Sequence, residues 1–220
     1  MKRIYPFIII MGLLTLVSSV GAQSRIGVIG GLNFSTMEPT ADEEIVGYTV
    51  MGIGGVFSYR MFESVSFQIE PMYLQKFAGI EAAENQPDVD TELTFLEVPL
   101  LARYDFGKTV QHYLIAGPSF GYLLKSELKT NAGGFGATAD PKETLKALDI
   151  GISAGAGVDI PLGPLFLFLE SRYTWGLQDL NKGGIVEFSA GAIKMPVEID
   201  ENDVMKNRGL QLMVGVLLPL

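Results

Sequence analysis

The fold of this chain is decided by residues 149–175, which read DIGISAGAGVDIPLGPLFLFLESRYTW. Two alternating runs, Asp149–Ile160 and Leu165–Trp175, flank the turn-forming segment Pro161–Pro164. In the first run apolar side chains recur at every second position, opposite glycine, serine and aspartate. In the second run one face carries Leu165, Leu167, Leu169, Tyr173 and Trp175, opposite Glu170, Arg172 and Thr174. A period of two is that of a β-strand, whose successive side chains point to opposite faces of the sheet. The stretch therefore predicts a β-hairpin with one apolar and one polar face.

The length of the two runs distinguishes between two environments for this hairpin. One is a soluble sandwich or small barrel with an apolar core, and the other is a membrane barrel with an apolar outside. The runs hold twelve and eleven residues. Soluble strands typically have about five or six residues, whereas a tilted strand needs about nine to eleven to cross a bilayer. The length of the hairpin favours the membrane.

The same alternation recurs along the chain and predicts eight strands. Long and short connections alternate between them, and consecutive antiparallel strands place alternate connections at opposite ends of the sheet. All short turns then lie at one end and all long loops at the other, as in outer-membrane barrels. The sequence therefore predicts an all-β fold, an eight-stranded antiparallel up-and-down transmembrane β-barrel, with a soluble periplasmic β domain as the alternative. The predicted strands are 25–34, 47–59, 64–76, 91–106, 110–124, 149–160, 165–175 and 208–220, the long loops are 35–46, 77–90, 125–147 and 176–207, and the short turns are 60–63, 107–109 and 161–164.

The first residues of the chain predict export. Lys2 and Arg3 precede an apolar run that leads to the small-residue site Val20–Ala22, which is the arrangement of a secretory signal peptide. We expect residues 1–22 to be a cleaved signal peptide and residues 23–220 to form a barrel in the bacterial outer membrane. Loss of Lys2 and Arg3 takes the formal net charge from −9 to −11. Because an acidic protein repels phosphate backbones, we expect no nucleic-acid partner.

The residue types that carry most enzyme chemistry are scarce. The chain has no cysteine, and His112 is its only histidine. Most zinc sites and histidine-based catalytic arrangements need more than one such residue. His112 with Ser119 or Ser126 is the nearest approach to the hydrolytic pair of a lipid-modifying barrel, yet no oriented third group accompanies it. We therefore expect no enzyme activity, no cofactor and no metal.

The polar faces of the predicted strands define a candidate site inside the barrel. An eight-stranded barrel has an interior that side chains can just fill, and charges in such an interior must be paired and hydrogen-bonded. We expect a structural salt-bridge network that plugs the lumen, with a gate or a proton or ion relay as the alternative. The predicted lumenal charge network comprises Glu70, Glu97, Arg103, Asp105, Asp149, Asp159, Glu170 and Arg172.

Two further groups of side chains are predicted to lie at the surface. The first is acidic and belongs to the long loops: Asp42, Glu43, Glu44, Glu198, Asp200, Glu201 and Asp203. Their oxygens could bind Ca²⁺, but their spacing is not that of an EF-hand, so we expect a solvated acidic surface. The second is an aromatic girdle at the membrane interface, formed by Tyr59, Tyr73, Tyr104, Tyr113, Tyr122, Tyr173 and Trp175.

Four segments of the chain carry a family resemblance. They read IGVIGGLNFS at 26–35, FLEVPLL at 95–101, AGPSFGYLL at 116–124, and GAGVD at 155–159 ahead of LESRYTWG at 169–176. In this order and spacing they resemble the PorT-like outer-membrane β-barrel family of Bacteroidetes-type bacteria. The resemblance covers essentially the whole mature chain and implies an eight-stranded outer-membrane barrel. It implies little about activity, although one founding member of that family is associated with protein secretion.

These observations together predict a structural, adhesive or secretion-accessory component of the envelope that acts through its long outward loops. The expected partners are outer-membrane lipid and other envelope or secretion proteins, and the barrel is expected to be monomeric. The alternative function is transport or binding of a small solute in the lumen. A lipid-modifying outer-membrane enzyme is the weaker alternative.

Overall fold

The computed structural model describes residues 24–38, 45–80, 88–107, 110–132, 135–190 and 193–220. The expected signal peptide, residues 1–22, lies outside these ranges. A short 3₁₀ helix covers Lys142–Thr144, and no helix in the described part of the chain is long and apolar enough to cross a membrane. The strands of the described residues are β1 (Ser24–Glu38), β2 (Ile45–Arg60), β3 (Val65–Ile69), β4 (Met72–Ile80), β5 (Asp88–Phe106), β6 (Gln111–Ala132), β7 (Phe135–Ala139), β8 (Leu148–Leu162), β9 (Leu165–Gly176), β10 (Gly184–Ala190), β11 (Ile193–Ile199) and β12 (Lys206–Pro219).

Most of these strands form a closed antiparallel ring with eight positions. The order around the ring is β1, β2, β3 with β4, β5, β6, β8, β9 and β12. The ring closes because β12 pairs with β1 from Arg25 opposite Pro219 to Glu38 opposite Lys206. In hydrocarbon each unpaired backbone donor or acceptor costs several kcal/mol, and closure leaves no strand edge within the ring. The predicted eight-stranded antiparallel barrel is confirmed.

The two faces of the barrel wall follow the alternation that the sequence predicts. Large apolar side chains such as Val28, Ile53 and Leu212 are exposed on the outside, whereas charged side chains such as Glu97 and Arg172 are buried inside. This distribution is the reverse of that in a soluble protein. The apolar face of the hairpin formed by β8 and β9 is therefore an outer surface and not a core.

The end of the barrel with short turns shows how the hairpins close. Leu162 pairs with Leu165, which leaves the two-residue loop Gly163-Pro164. Gly163 adopts a φ of 62°. Glycine tolerates this value because it has no Cβ, and two-residue hairpin loops favour it at this place. The opening stretch of the sequence therefore contains its own turn signal.

The predicted strand at 64–76 is wrong in one respect, because the chain forms two strands there. β3 ends at Ile69 and β4 begins at Met72. Between them lies Pro71, which has no N–H to donate to a strand ladder. The neighbouring strands still pair with this break, since Glu70 N donates to Pro99 O at 3.3 Å and Gly55 N donates to Pro71 O at 3.0 Å. Glu70 stays directed into the barrel.

The predicted loops at 125–147 and 176–207 are also wrong, because both contain strands. β6 continues to Ala132 and returns as β7, while β10 and β11 form a further hairpin. The two hairpins join where Ser189 pairs with Thr138. An apolar cluster holds them together: Leu128, Ala137, Ala139, Val186 and Phe188. We call residues 125–139 with 184–199 the extension.

A one-residue shift in register explains why alternation in the sequence stops short of the extension. Thr94 of β5 pairs with Lys125 of β6, but Phe95 pairs with Leu123. Such a bulge moves every later side chain to the other face. Before the shift, Leu123 points into the barrel. After it, Ser126 and Leu128 point inward and Lys129 is exposed. A periodic pattern read without the shift therefore ends near Leu124.

The length of β6 places the extension outside the membrane. Its 22 residues span roughly 70 Å at about 3.3 Å per residue. About half that number of residues crosses a bilayer even when the strand is tilted. The upper parts of β5 and β6, together with β7, β10 and β11, therefore project beyond the bilayer at the end opposite the short turns.

Candidate functional site

The structure places all eight residues of the predicted lumenal charge network inside the barrel. Each of them is at most 8% exposed. With Arg25 and Lys76 they form three groups along the barrel axis, which we call layers. From the short turns towards the extension, the turn-side layer holds Arg25, Arg103, Asp105 and Asp159, the middle layer holds Glu70, Glu170 and Arg172, and the loop-side layer holds Lys76, Glu97 and Asp149.

The turn-side layer is centred on Asp159, which is fully buried. Its Oδ2 lies 2.8 Å from Nη1 of Arg25 and 2.5 Å from Nη2 of Arg103. Arg103 also lies 2.7 Å from Asp105, and its guanidinium stacks 3.6 Å from the ring centroid of Tyr113. Two cations face two carboxylates, so this layer is balanced in charge while it ties β1, β5 and β8 together.

The middle layer has one cation between two carboxylates. Nη1 of Arg172 contacts Glu70 and lies 3.3 Å from Glu170. Nε of Arg172 donates a hydrogen bond to Gln211 at 2.6 Å. The hydroxyl of Tyr113 donates to Glu170 at 3.0 Å. All three charged side chains are fully buried. The arrangement connects β9 and β12 with the break between β3 and β4, across the whole lumen.

The loop-side layer is built around Lys76. Its Nζ lies 2.8 Å from Glu97 and 2.9 Å from Asp149, and Asn207 donates to Asp149 at 2.8 Å. The ammonium also lies 4.8 Å from the ring centroid of Phe95. An apolar cluster covers this layer on the side of the extension: Leu93, Phe95, Leu123, Leu145 and Leu180. The lumen is thus capped by packed side chains.

The space left inside the barrel is small. Two cavities beside the loop-side layer have volumes of about 10 Å³ each and share Lys76 and Asn207 in their walls. A cavity of this size holds about one water molecule. The turn-side half of the lumen is further filled by an apolar cluster that includes Ile29, Met72 and Phe168. Chemically, the arrangement can bind strands to one another but has little room for a solute.

Three residues of this site were not predicted from the sequence. Lys76 shares the parity of Glu70 along the predicted strand 64–76, and Arg25 shares that of Ile29 on β1, so consistent counting along these strands would have found both. Tyr113 was predicted in the aromatic girdle, and this prediction is wrong because its side chain is fully buried. A buried tyrosine needs a partner for its hydroxyl, which Glu170 provides.

The other predicted girdle residues lie on the outside. Tyr59, Tyr73, Tyr104, Tyr122 and Trp175 are exposed, and Tyr173 is half-buried beside Trp175 with ring centroids 4.5 Å apart. Aromatic rings with a polar edge favour the head-group region of a membrane. These side chains therefore mark the two borders of the apolar band.

The hydrolytic pair considered from the sequence is not assembled. The His112 side chain is exposed on the outer face of β6, where its ring stacks 5.7 Å from that of Phe106. Ser119 and Ser126 are buried on the inner face of the same strand. A base and its nucleophile cannot meet through the barrel wall, so neither serine pairs with His112.

The acidic loop residues do not converge on a metal site in the described part of the chain. Asp42, Glu43 and Glu44 lie outside the described residues. Asp200 instead caps a turn, since its Oδ1 accepts from the backbone N–H of Asn202 at 2.9 Å and from that side chain at 2.8 Å. No group of three or more histidine, aspartate or glutamate side chains within the described ranges could hold a metal ion.

A buried asparagine fastens the segment that carries Leu180 over the lumen. Asn181 Nδ2 donates to the carbonyl oxygens of Asp200 and Asp203 at 2.6 and 2.7 Å. The neighbouring Asp179 accepts from the backbone N–H groups of Met205 and Asn181 at 2.8 and 3.1 Å. Partial burial alone would raise the pKa of Asp179, but these two donors outweigh it and hold the pKa below its usual value. We call this arrangement the loop lock.

The loop lock should weaken in acid. Because the folded pKa of Asp179 is depressed, its carboxylate stabilises the lock above the ordinary aspartate pKa of about 3.9, and this contribution is lost as the pH falls through the lower, folded pKa. We expect the amide proton shifts of Asn181 and Met205 to titrate below about pH 4 in NMR spectra. Asp179→Ala should abolish that titration and increase amide exchange of Met205 at neutral pH. Shifts that stay constant in acid would contradict the assignment.

The sequence of residues 21–182 matches the model of a family described as outer membrane protein beta-barrel domain. The match covers well over half of the chain. The chain belongs to this family. As an outer membrane protein beta-barrel domain it is located in the bacterial outer membrane, which confirms the localisation that the sequence predicts. A search of curated protein sequences gives no match.

This beta-barrel domain is similar to several solved structures. A major outer membrane protein from Thermus thermophilus is 10% identical, with a TM-score of 0.55 over 90% of this chain and 99% of that chain. The Neisserial surface protein NspA is 14% identical, with a TM-score of 0.48 over 90% and 97% of the two chains. Ail of Yersinia pestis is 10% identical, with a TM-score of 0.45 over 90% and 99%. At these identities the likeness concerns the barrel fold alone.

Proposed function

We propose that this protein is a non-conducting outer-membrane anchor that acts through its extension, as a structural, adhesive or secretion-accessory component of the envelope. The observation that carries the proposal is the filling of the lumen. Ten charged side chains in three layers, apolar clusters and an apolar cap occupy the interior, and the two cavities beside Lys76 each have room for about one water molecule. Such a barrel offers a solute no path, so the surface presented beyond the membrane carries the function.

The extension is the part of the surface best suited to contact another envelope protein. It stands beyond the bilayer, and β11 forms the edge of its sheet with Met195 and Val197 partly exposed. Inside the bilayer the closed ring has no unpaired edge, which supports a monomer surrounded by lipid. The resemblance of four segments to the PorT-like family favours the secretion-accessory form of this function.

The purified protein should not conduct ions. In planar bilayers we expect no sustained single-channel current, and in liposomes no flux of small solutes, because the three layers block the lumen. An open porin measured in the same bilayers is the positive control. A large and sustained current, or solute uptake that depends on this protein, would contradict the proposal and support the transport alternative.

Removal of the β10–β11 hairpin should abolish the capture of envelope partners but leave the barrel intact. Gly184 and Ile199 are paired, so residues 185–198 can be replaced by a two-residue Asn-Gly turn between them. We expect the shortened protein to keep its folded, heat-modifiable mobility in gels and to lose the partners that the intact protein captures in cross-linked envelopes. The matched control exchanges the charges of the exposed pair Glu187 and Lys194 and keeps the hairpin. Identical partners for the intact and shortened proteins would contradict a role of this hairpin.

A further inference from the structure

A concavity of about 380 Å³ lies on the outer surface of the barrel, at the ends of β8, β9 and β12 that face the extension. Its walls are formed by Ile152, Trp175, Gly176, Leu177, Lys206 and Arg208. Ile152, Trp175 and Leu177 are exposed apolar side chains that belong to the outer face. The volume falls within the range of ordinary small-molecule sites. The concavity is separate from the lumenal layers, because the barrel wall lies between them.

The depth of this concavity in the membrane follows from the strands. Lys206 and Arg208 continue the outward row of β12 that includes Leu210 and Leu212. Arg208 is paired with Trp175 across β9 and β12. Because interfacial tryptophan lies at the level of the head groups, Arg208 lies at that level too. Lys206 lies roughly 7 Å farther along the strand, away from the membrane centre, since a strand rises about 3.3 Å per residue.

The concavity therefore combines an apolar floor with two cations at its outer rim. Ile152, Trp175 and Arg208 are paired at one level of the wall. Hydrocarbon chains would therefore reach Ile152 and Trp175 from the bilayer side, while an anion at head-group level would meet Lys206 and Arg208. A guanidinium and an ammonium both suit phosphate oxygens, the first through its planar donors and the second as a compact charge. The nearby carboxylate of Asp179 accepts hydrogen bonds from the N–H groups of Met205 and Asn181, and it also interacts electrostatically with Lys206. Two cations at this depth are notable in a chain with a net charge of −9.

We propose that this concavity is a binding site for an anionic, phosphate-bearing lipid of the outer leaflet. The acyl chains lie along Ile152 and Trp175, and the phosphate is bound by Lys206 and Arg208. The site requires the location of the protein in the outer membrane. It does not depend on the function proposed for the extension, so either proposal can fail without the other.

Trp175 provides a direct readout of the site, because it is the only tryptophan of the chain and lines the concavity. The full protein is reconstituted into phosphatidylcholine vesicles that contain either brominated phosphatidylglycerol or brominated phosphatidylcholine at equal mole fraction. Bromine quenches tryptophan fluorescence on contact, so the ratio of quenching yields the relative binding constant of the anionic lipid. We expect a preference of about fivefold or more for phosphatidylglycerol, since a cation at a membrane surface attracts anionic lipid by about this factor.

Substitutions of the two cations test whether Lys206 and Arg208 cause that preference. In Lys206→Gln/Arg208→Gln the ratio should fall to about one, with each single substitution in between. The matched control Lys125→Gln/Lys129→Gln removes two exposed lysines from the extension and should keep the full preference. Heat-modifiable mobility in gels verifies that each variant is folded, and the single substitutions serve if the double variant is not.

Two results would overturn the proposal. One is equal quenching by the two brominated lipids in the wild-type protein, and the other is a preference that survives in Lys206→Gln/Arg208→Gln. A further experiment tests whether the site binds the phosphate of a lipid or free phosphate. Inorganic phosphate should lower the ratio no more than sodium chloride of equal ionic strength, and a larger effect would mean that the site binds free phosphate in place of lipid.

Discussion

Replacement of Arg172 with methionine should lower the free energy of unfolding of the barrel by about 3–5 kcal/mol. The substitution removes the one cation of the middle layer and leaves Glu70 and Glu170 buried beside each other. A buried charge that loses its partner keeps its desolvation cost without the compensating attraction. Urea unfolding in lipid vesicles, followed by circular dichroism, measures the change. The variant should remain non-conducting, because the turn-side and loop-side layers and the cap still fill the lumen.

Two further variants separate the loss of a buried ion pair from the mere loss of a long side chain. Lys194→Met removes a cation from a pair whose side chains are 69% and 61% exposed, so it should leave the unfolding midpoint nearly unchanged. Glu70→Gln/Glu170→Gln/Arg172→Met neutralises the whole middle layer and should recover part of the lost stability. An Arg172→Met protein as stable as the wild type would show that this layer does not hold the strands together.

Asp159→Asn should have the second largest effect, a loss of about 3 kcal/mol in the free energy of unfolding. The substitution preserves the shape of the side chain but removes the charge that lies between Arg25 and Arg103. Two guanidinium groups then share the single carboxylate of Asp105 inside the barrel. The same urea titration measures this loss.

A double-mutant cycle tests whether this loss arises from the charge. Arg25→Met/Asp159→Asn restores the charge balance of the turn-side layer, since it leaves Arg103 with Asp105. We expect the double variant to be more stable than Asp159→Asn alone, with a coupling energy of about 1 kcal/mol or more between the two positions. Strictly additive effects of the two substitutions would argue that Asp159 acts through packing and not through the ion pair.

The sequence predicts those features of the fold that depend on the residues of a single strand. Alternation with a period of two is visible in any strand that has lipid on one side and a polar interior on the other. The outward row of the hairpin formed by β8 and β9 was therefore predicted correctly, including Leu169 and Trp175. The placement of short and long connections at opposite ends depends only on the order of the strands, so this prediction was also correct.

The predicted strands were wrong where a single residue interrupts the regular pairing of two strands. Pro71 divides the third predicted strand because it lacks a backbone donor. The side chains keep the same alternation on both sides of Pro71, so the pattern does not reveal the break. The bulge at Leu124 reverses the faces of β6, so Lys125 and Leu128 appear out of phase although both are well placed. Periodic patterns cannot reveal such shifts, because a bulge is defined by the partner strand.

The lumenal site shows the same division. That Glu70, Glu97 and Arg172 point inward follows from their parity, and the sequence indicated as much. Which cation meets which carboxylate depends on the height of each residue in the closed ring, as when Asp159 of β8 meets Arg25 of β1 across 134 positions of the chain. Tyr113 was assigned to the girdle although it shares the inward parity of Ser119 on β6, and only the assembled barrel shows that Glu170 accepts the hydrogen bond of its hydroxyl.

The sequence by itself determined the barrel, its number of strands and the outward direction of the apolar face, since each follows from spacing along one strand or from the order of strands. The tertiary structure alone decided the pairing of the buried charges and the existence of the extension. It also alone brought Lys206 and Arg208 beside Trp175 at one level of the membrane. Register between strands sets all of these, and register is a property of two segments at once.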